Sequence, residues 1–119
     1  MKNKVFPLSE IIKACGLEKV AGKNITDRPV AGGYASDLLS DVMANAKNGD
    51  IWITLQTHPN IVAVAVLKEI SAIVIINGRK PEPEMLEKAA KEGIPVLVSP
   101  LPAFELIGKL YGMGVSGLR

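Results

Sequence analysis

The sequence predicts an α/β fold, in which a single domain has a mainly parallel sheet with helices on both faces. Short runs rich in valine and isoleucine alternate along the chain with segments whose apolar residues repeat at helical spacing. Strands that alternate with helices in this way form right-handed βαβ units around a parallel sheet. The run Ala72–Ile76 is the clearest strand, because an unbroken apolar run this short suits a strand covered on both faces.

The length and composition are those of one globular domain. The chain has 119 residues, of which 48% are hydrophobic and 22% are charged, which is enough for a core of its own. We expect residues 1–119 to form a single domain with its core at residues 20–112. The net charge is only +2 and the charges are interspersed. The sequence therefore predicts no nucleic-acid partner, since such a surface normally needs a basic stripe.

The single cysteine and the lack of long apolar runs argue against disulfide-bonded, zinc-binding and membrane proteins. Because Cys15 is alone, an internal disulfide and a zinc cluster are excluded, and its helical spacing from Ile11 and Ile12 predicts a buried structural thiol. No apolar run reaches the length of a membrane span, and no signal-type apolar core follows Met1. We expect a cytoplasmic protein with no membrane partner.

The first elements follow from spacing and turn residues. Leu8–Cys15 has the periodicity of a short helix, and Gly16 is a typical C-cap. A brief strand at Lys19–Ala21 ends at the turn formed by residues 22–24. Arg28–Ala35 is predicted to be one strand, with Gly32 and Gly33 at its exit.

The middle of the chain predicts a helix and then a strand. Ser36 is a suitable N-cap for a helix over Asp37–Ala46, in which Asp37 complements the helix dipole. Ile51–Leu55 is the next strand, and Thr57 can cap the helix that follows it. One apolar stripe is expected on the first of these helices: Leu38, Leu39, Val42, Met43 and Ala46.

Ile61–Ile70 is predicted to be a helix in spite of its β-branched residues. A strand at this position would leave two neighbouring parallel strands without a crossover, and its alanines suit close packing on a sheet. The segment Ile61–Leu67 is too apolar for a surface helix. Either the fold buries it completely or it forms a homodimer interface; we favour the interface, to which Phe104, Leu110 and Tyr111 can contribute.

The last third continues the alternation of helices and strands. A helix is expected from Pro81 to Gly93, a buried strand at Pro95–Val98 and a final helix at Ala103–Tyr111. Three glycines then predict a loose tail: Gly112, Gly114 and Gly117.

Polar residues collect where the predicted strands end. The carboxyl ends of parallel strands share one edge of the sheet, which is where ligands usually bind. Asn-Gly makes a tight turn, so the loop after Ala72–Ile76 should expose amides and two cations. The candidate ligand-binding residues are Gly33, Ser36, Thr54, Thr57, His58, Asn77, Gly78, Arg79 and Lys80.

This cluster predicts a pocket for a phosphate or carboxylate. Free N–H groups at helix starts attract anions, and Arg79 or Lys80 would supply the counter-charge. A purely structural interpretation has equal weight. In that interpretation Ser36 and Thr57 are only N-caps, and the two cations are solvated.

Features of an enzyme are weak. His58 is the sole histidine, so the sequence predicts neither a histidine metal site nor a catalytic triad. Asp37 and Asp41 lie one helical turn apart, as on a solvated face. The chain lacks a P-loop, and Gly32-Gly33 lacks the wider spacing of a dinucleotide fingerprint. We expect no catalytic residue, no metal and no cofactor.

The order of motifs resembles the DRTGG domain family. The resemblance extends from about Val20 to Leu110, and Asn77-Gly78-Arg79 occupies the position of the family's Thr-Gly-Gly. The motifs that carry the resemblance are Val30-Ala31-Gly32, Gly49-Asp50-Ile51-Trp52-Ile53-Thr54, Ile73-Val74-Ile75-Ile76-Asn77-Gly78 and Ile94-Pro95-Val96-Leu97-Val98.

The resemblance implies a fold similar to the N-terminal domain of HPr kinase/phosphorylase and an accessory role. Such domains occur attached to phosphotransacetylases and CBS-domain pyrophosphatases as regulatory or dimerising modules with no activity of their own. The implied function is a non-catalytic regulatory module that forms a homodimer and senses a small anionic metabolite or nucleotide. The alternative is a protein–protein adaptor for a kinase-like or hydrogenase-associated partner. A shared fold does not by itself decide between them.

Overall fold

A five-stranded sheet separates the helices of this protein into two layers. The computed structural model describes residues 4–22 and 27–118, so the predicted turn residues Lys23 and Asn24 lie outside the described part. The strands are β1 (Phe6–Pro7), β2 (Glu18–Ala21), β3 (Pro29–Val30), β4 (Gly32–Ala35), β5 (Asp50–Thr54), β6 (Ala72–Ile75) and β7 (Val96–Val98). The helices are α1 (Leu8–Cys15), α2 (Leu39–Asn45), α3 (Asn60–Leu67), α4 (Pro83–Glu92) and α5 (Ala103–Met113).

The sheet has the order β2-β7-β6-β5-β4. Strands β4, β5, β6 and β7 are parallel, and only β2 runs antiparallel, beside β7. The small strands β1 and β3 form a separate antiparallel pair. The predicted α/β fold with a mainly parallel sheet is therefore confirmed.

Strand β6 shows why the apolar run is unbroken. Ile73 and Ile75 belong to the core on the side of α2, α3 and α4. Ala72 and Val74 belong to the core on the side of α1 and α5. Because successive strand residues point to opposite faces, both sets must be apolar. The prediction of helices on both faces is confirmed.

Helix α3 is the crossover that the parallel pair β5 and β6 requires. Its residues Ile61, Val62 and Ala65 are fully buried in the chain's own core. Near its end, Val66 and Leu67 remain 40% and 69% exposed. Most of the apolar segment is thus covered within the monomer, which leaves little of it for the dimer interface that we favoured.

Two predictions about secondary structure are wrong: the single strand at Arg28–Ala35 and the loose tail. Arg28–Ala35 is not one strand, because β3 pairs with β1 whereas β4 joins the main sheet. The two glycines consequently lie inside β4 and not at a strand exit. The tail is not loose through residue 116: Val115 is buried, and Gly33 N–H donates to the Ser116 carbonyl at 3.1 Å. This bond covers part of the exposed edge of β4.

Cys15 is buried, as predicted, and its Sγ lies 3.9 Å from Met113 Sδ. Burial raises the pKa of this thiol, so it is less reactive than a solvated one. In residues 4–22 and 27–118, no helix has both the length and the apolarity needed to cross a bilayer.

We expect Ile73→Ala to lower the free energy of unfolding by about 2–5 kcal/mol, because Ile73 is fully buried at the centre of the sheet. Leu67→Ala, at the 69% exposed end of α3, should change it by no more than about 0.5 kcal/mol. Urea unfolding measures both. Equal losses from the two variants would contradict the description of this core.

Candidate functional site

The carboxyl ends of β4, β5, β6 and β7 open onto one edge of the sheet because these strands are parallel. Strand β2 runs the other way, so its first residue, Glu18, lies beside Val98 at this edge. We call the segments that follow the four strands the strand-end rim: residues 36–38, 55–58, 76–81 and 99–101.

Asp37 organises the rim beside β4 and β5. One of its carboxylate oxygens accepts the Thr54 hydroxyl at 2.8 Å and the Leu55 N–H at 2.7 Å. Gln56 donates its side-chain amide to the Asp37 carbonyl at 2.9 Å. Thr54 is only 1% exposed, so this hydroxyl holds the rim together and is not available to a ligand.

These contacts keep Asp37 outside helix α2, which begins at Leu39. The prediction that Ser36 is the N-cap and Asp37 a first-turn residue is therefore wrong. Ser36 Oγ accepts the Leu38 N–H at 3.2 Å, and its carbonyl accepts the indole N–H of Trp52 at 2.9 Å. Leu38 and Met43, predicted in the apolar stripe of this helix, are 64% and 40% exposed.

A second group of rim residues lies at the start of α3. The cap predicted for Thr57 is absent, since His58 Nδ1 accepts the Asn60 N–H at 3.0 Å instead. The Thr57 carbonyl accepts the Glu82 N–H at 3.1 Å and so joins this loop to the start of α4. His58 thus has a local structural partner in the described chain.

Asn77 and Gly78 form the predicted turn, with φ of 61° and 66°. Their N–H groups donate to the carbonyls of Leu101 at 2.9 Å and Ser99 at 3.0 Å, and the Arg79 N–H donates to Ile76 at 3.2 Å. The expectation that this loop exposes its amides is therefore wrong, because the chain itself uses them. Arg79 and Lys80 are exposed, as predicted.

The two cations border an open groove of about 480 Å³ between β2, β7 and the turn. We call it the cation groove. Its walls are largely apolar, and one carboxylate, Glu18, stands among them. Its lining consists of Glu18, Val20, Gly78, Arg79, Lys80, Pro81, Val98, Ser99 and Pro100.

The nine predicted site residues do not surround one pocket. Gly78, Arg79 and Lys80 line the cation groove, which lies at the β7 side of the sheet. Gly33 and Ser36 belong to β4 and its exit, three strand spacings from β7, which is roughly 14 Å. A small ligand in the groove therefore contacts the first set and not the second.

Sequence reasoning missed the apolar walls of the groove. The sequence predicts only a short strand at Val20 and a buried strand at Val98. Val20 and Val98 line the same groove because β2 pairs antiparallel with β7. No motif in the sequence predicts this pairing. The sequence feature that indicates this edge of the sheet is a polar residue directly after an apolar strand, as at Ser99.

The described residues offer little for catalysis. No group of three or more histidine, cysteine, aspartate or glutamate residues among them could hold a metal ion. Ser99 is 1% exposed, and its hydroxyl accepts the Leu101 N–H at 3.1 Å. The groove can supply positive charge and apolar surface to a ligand.

Near the rim, the Tyr34 hydroxyl donates to Asp41 Oδ2 at 2.7 Å. This bond lowers the pKa of the Asp41 carboxyl, and the same carboxylate raises the pKa of Tyr34. The pair ties edge strand β4 to helix α2.

Comparison with known proteins gives a family and a related fold. The model of the DRTGG domain family matches residues 10–113. A search of curated proteins finds no match. A solved structure of the CBS and DRTGG domains of the regulatory region of Clostridium perfringens pyrophosphatase, complexed with the activator diadenosine tetraphosphate, is similar with a TM-score of 0.70 at 20% identity. The match covers 94% of this chain and 47% of that one, so this chain spans about half its length.

The Tyr34–Asp41 bond predicts an acid-dependent contribution to stability. The folded pKa of Asp41 lies below its ordinary value of 3.8, so its contribution is present above that pH and is lost as the pH falls through the folded pKa. Urea midpoints should therefore fall less steeply below pH 3.8 in Tyr34→Phe than in the wild type. Parallel curves for the two proteins would show that this bond does not carry the effect.

Proposed function

This chain belongs to the DRTGG domain family, and on that premise we propose that it is a non-catalytic regulatory module that binds a small anionic metabolite or nucleotide. The observation that carries the proposal is the cation groove, in which Arg79 and Lys80 stand beside apolar walls. We propose that the module acts as a homodimer.

The chemistry of the groove favours a ligand with both a charged and an apolar part. Guanidinium and ammonium groups bind phosphate or carboxylate oxygens through charge-assisted hydrogen bonds. Val20, Val98 and Pro100 offer surface on which a flat ring can pack. The volume of about 480 Å³ lies in the range that small-molecule sites occupy.

Glu18 gives a reason to prefer a nucleotide to a bare anion. A carboxylate in the groove repels a second anionic group but accepts hydrogen bonds from sugar hydroxyls or an exocyclic amine. A nucleotide can direct its phosphates to Arg79 and Lys80 and its neutral part toward Glu18. Inorganic phosphate gains only the first of these contacts.

The similar pyrophosphatase region supports the same class of ligand. Its activator, diadenosine tetraphosphate, joins adenine rings to a chain of phosphates. At 20% identity the likeness concerns the fold, so the ligand of that protein supports a nucleotide here without identifying it.

A protein–protein adaptor is the second candidate, and one observation favours it. Phe104 and Tyr111 on α5 are 88% and 70% exposed, which is unusual for aromatic residues that have no partner to cover them. A kinase-like or hydrogenase-associated protein is the partner that this alternative requires. Such an adaptor would not need the cation groove.

We expect Arg79→Ala to weaken nucleotide binding by roughly 10-fold or more, because a charge-assisted hydrogen bond is lost. Isothermal titration calorimetry with AMP, ADP, ATP and acetyl phosphate measures this change. The Arg79 side chain is exposed, so the thermal midpoint should not change.

Lys91→Ala is the matched control, since Lys91 is an exposed cation on α4 that does not line the groove. It should bind as the wild type does. Failure of the wild type to bind any of these anions at millimolar concentration would reject the ligand part of the proposal. Equal binding by wild type and Arg79→Ala would reject this groove as the site.

A further inference from the structure

The two sides of the cation groove carry opposite charges. Glu18, the first residue of β2, pairs with Val98, which in turn pairs with Ile75 at the end of β6. The backbone of Glu18 therefore lies two strand spacings, roughly 10 Å, from the strand that leads to the cations. Arg79 and Lys80 stand in the turn after that strand. A ligand that lies across the groove thus meets cations on one side and a carboxylate on the other.

The carboxylate of Glu18 is open to a ligand. Glu18 is exposed, and within residues 4–22 and 27–118 its side chain takes part in no hydrogen bond or ion pair. The other polar side chain at this side of the groove is Ser99, which is 1% exposed and accepts the Leu101 N–H at 3.1 Å. Recognition of a neutral polar edge at this side therefore depends on Glu18.

An apolar wall adjoins this carboxylate. Residues that are opposite each other in neighbouring antiparallel strands point to the same face, so the Glu18 side chain stands beside Val98. Val20 lines the same groove, and both valines pack against the core on the side of α4. A flat ring that packs on the two valines directs one of its edges toward Glu18.

We propose that Glu18 makes the cation groove selective for guanine among the nucleotide bases. The inference rests on the nucleotide site of the proposed function and names the base that this site takes. Arg79 and Lys80 hold the phosphates, the valines support the ring, and the ring N1–H and 2-amino group of guanine donate to the two oxygens of Glu18.

Guanine is the base whose edge matches a carboxylate. A carboxylate offers two acceptor oxygens and no donor. Guanine presents two donors side by side, the ring N1–H and the 2-amino group, so both oxygens can be bound in parallel. Charge-assisted bonds of this bidentate kind are stronger than neutral ones and fix the orientation of the ring.

The other bases match a carboxylate less well. Adenine and cytosine each place one amino group beside a ring nitrogen that carries a lone pair, and that lone pair repels the second carboxylate oxygen. Hypoxanthine keeps the N1–H of guanine but lacks the 2-amino group. Uracil has one N–H between two carbonyl groups, which are acceptors as well.

Ribose hydroxyls are the other donors that a nucleotide brings. If they bound Glu18, the groove would not distinguish the bases. The position of the valines favours the base, because a flat ring gains packing on an apolar wall and a hydroxylated sugar loses hydration there. Binding through the ribose is an outcome that the experiment distinguishes.

Isothermal titration calorimetry of the full chain with GDP, IDP and ADP tests the base. All three carry the same phosphates, so all three should bind. GDP should bind roughly 10-fold more tightly than ADP, because a bidentate charge-assisted pair replaces a single hydrogen bond. IDP should bind at least about 3-fold more weakly than GDP, since it lacks the 2-amino group.

Glu18→Gln tests the residue, because the amide keeps the shape of the side chain and replaces one acceptor oxygen by a donor. The affinities of this variant for GDP and ADP should differ by no more than about 2-fold. Arg79→Ala should weaken both nucleotides alike and leave their ratio unchanged. Glu87→Gln is the control, since Glu87 is an exposed carboxylate on α4 that does not line the groove, and it should keep the preference for GDP.

The outcomes separate this inference from the proposed function. If GDP, IDP and ADP all fail to bind at millimolar concentration, the nucleotide site is rejected and the inference with it. Equal affinities for the three keep the site and overturn its selectivity. A preference for GDP that survives Glu18→Gln overturns the role of Glu18. Weaker binding of 2′,3′-dideoxy-ADP than of ADP in the wild type, with no such difference in Glu18→Gln, assigns Glu18 to the ribose and overturns the inference.

Discussion

The burial of β6 on both faces is the constraint on which the rest of this structure depends. All four of its residues are buried, and parallel neighbours pair with it on each side. A strand in this position requires helices above and below it and a crossover on each side. The same constraint brings the exits of four parallel strands to one edge and places Arg79 and Lys80 at that edge.

Several backbone amides of the rim already have partners within the chain, which limits how it can bind. The amides of Asn77, Gly78 and Arg79 donate to carbonyls of the chain, and the Thr54 hydroxyl belongs to the Asp37 network. At the Asn77–Gly78 turn, an anion must therefore be recognised by side chains, and mainly by the two exposed cations. This differs from glycine-rich loops, which hold phosphates through free amides.

The sequence allowed the α/β class, the helical character of α3 and the DRTGG resemblance to be predicted, and all three are confirmed. Periodicity and crossover geometry are local rules, so they succeed for a strand such as β6. They failed at Ser36 and Asp37 because Thr54, seventeen residues away, captures the carboxylate. They also failed for the tail, where the Gly33 edge supplies a partner that no local pattern shows. The conformation at such positions depends on pairing between distant parts of the chain. The strand order also places the nine candidate site residues in different parts of the rim, and their role in binding remains a proposal.

We propose that the groove between β2, β7 and the Asn77–Gly78 turn is the ligand site. Titration of the ¹⁵N-labelled protein with ADP, followed by amide chemical shifts, locates the ligand on the surface. We expect little change at residues 36–37 and 54–56 and the largest changes in the groove, at Val20, Gly78, Arg79, Lys80 and Val98. Changes concentrated on the Asp37 network, or spread over surfaces far from the groove, would contradict it.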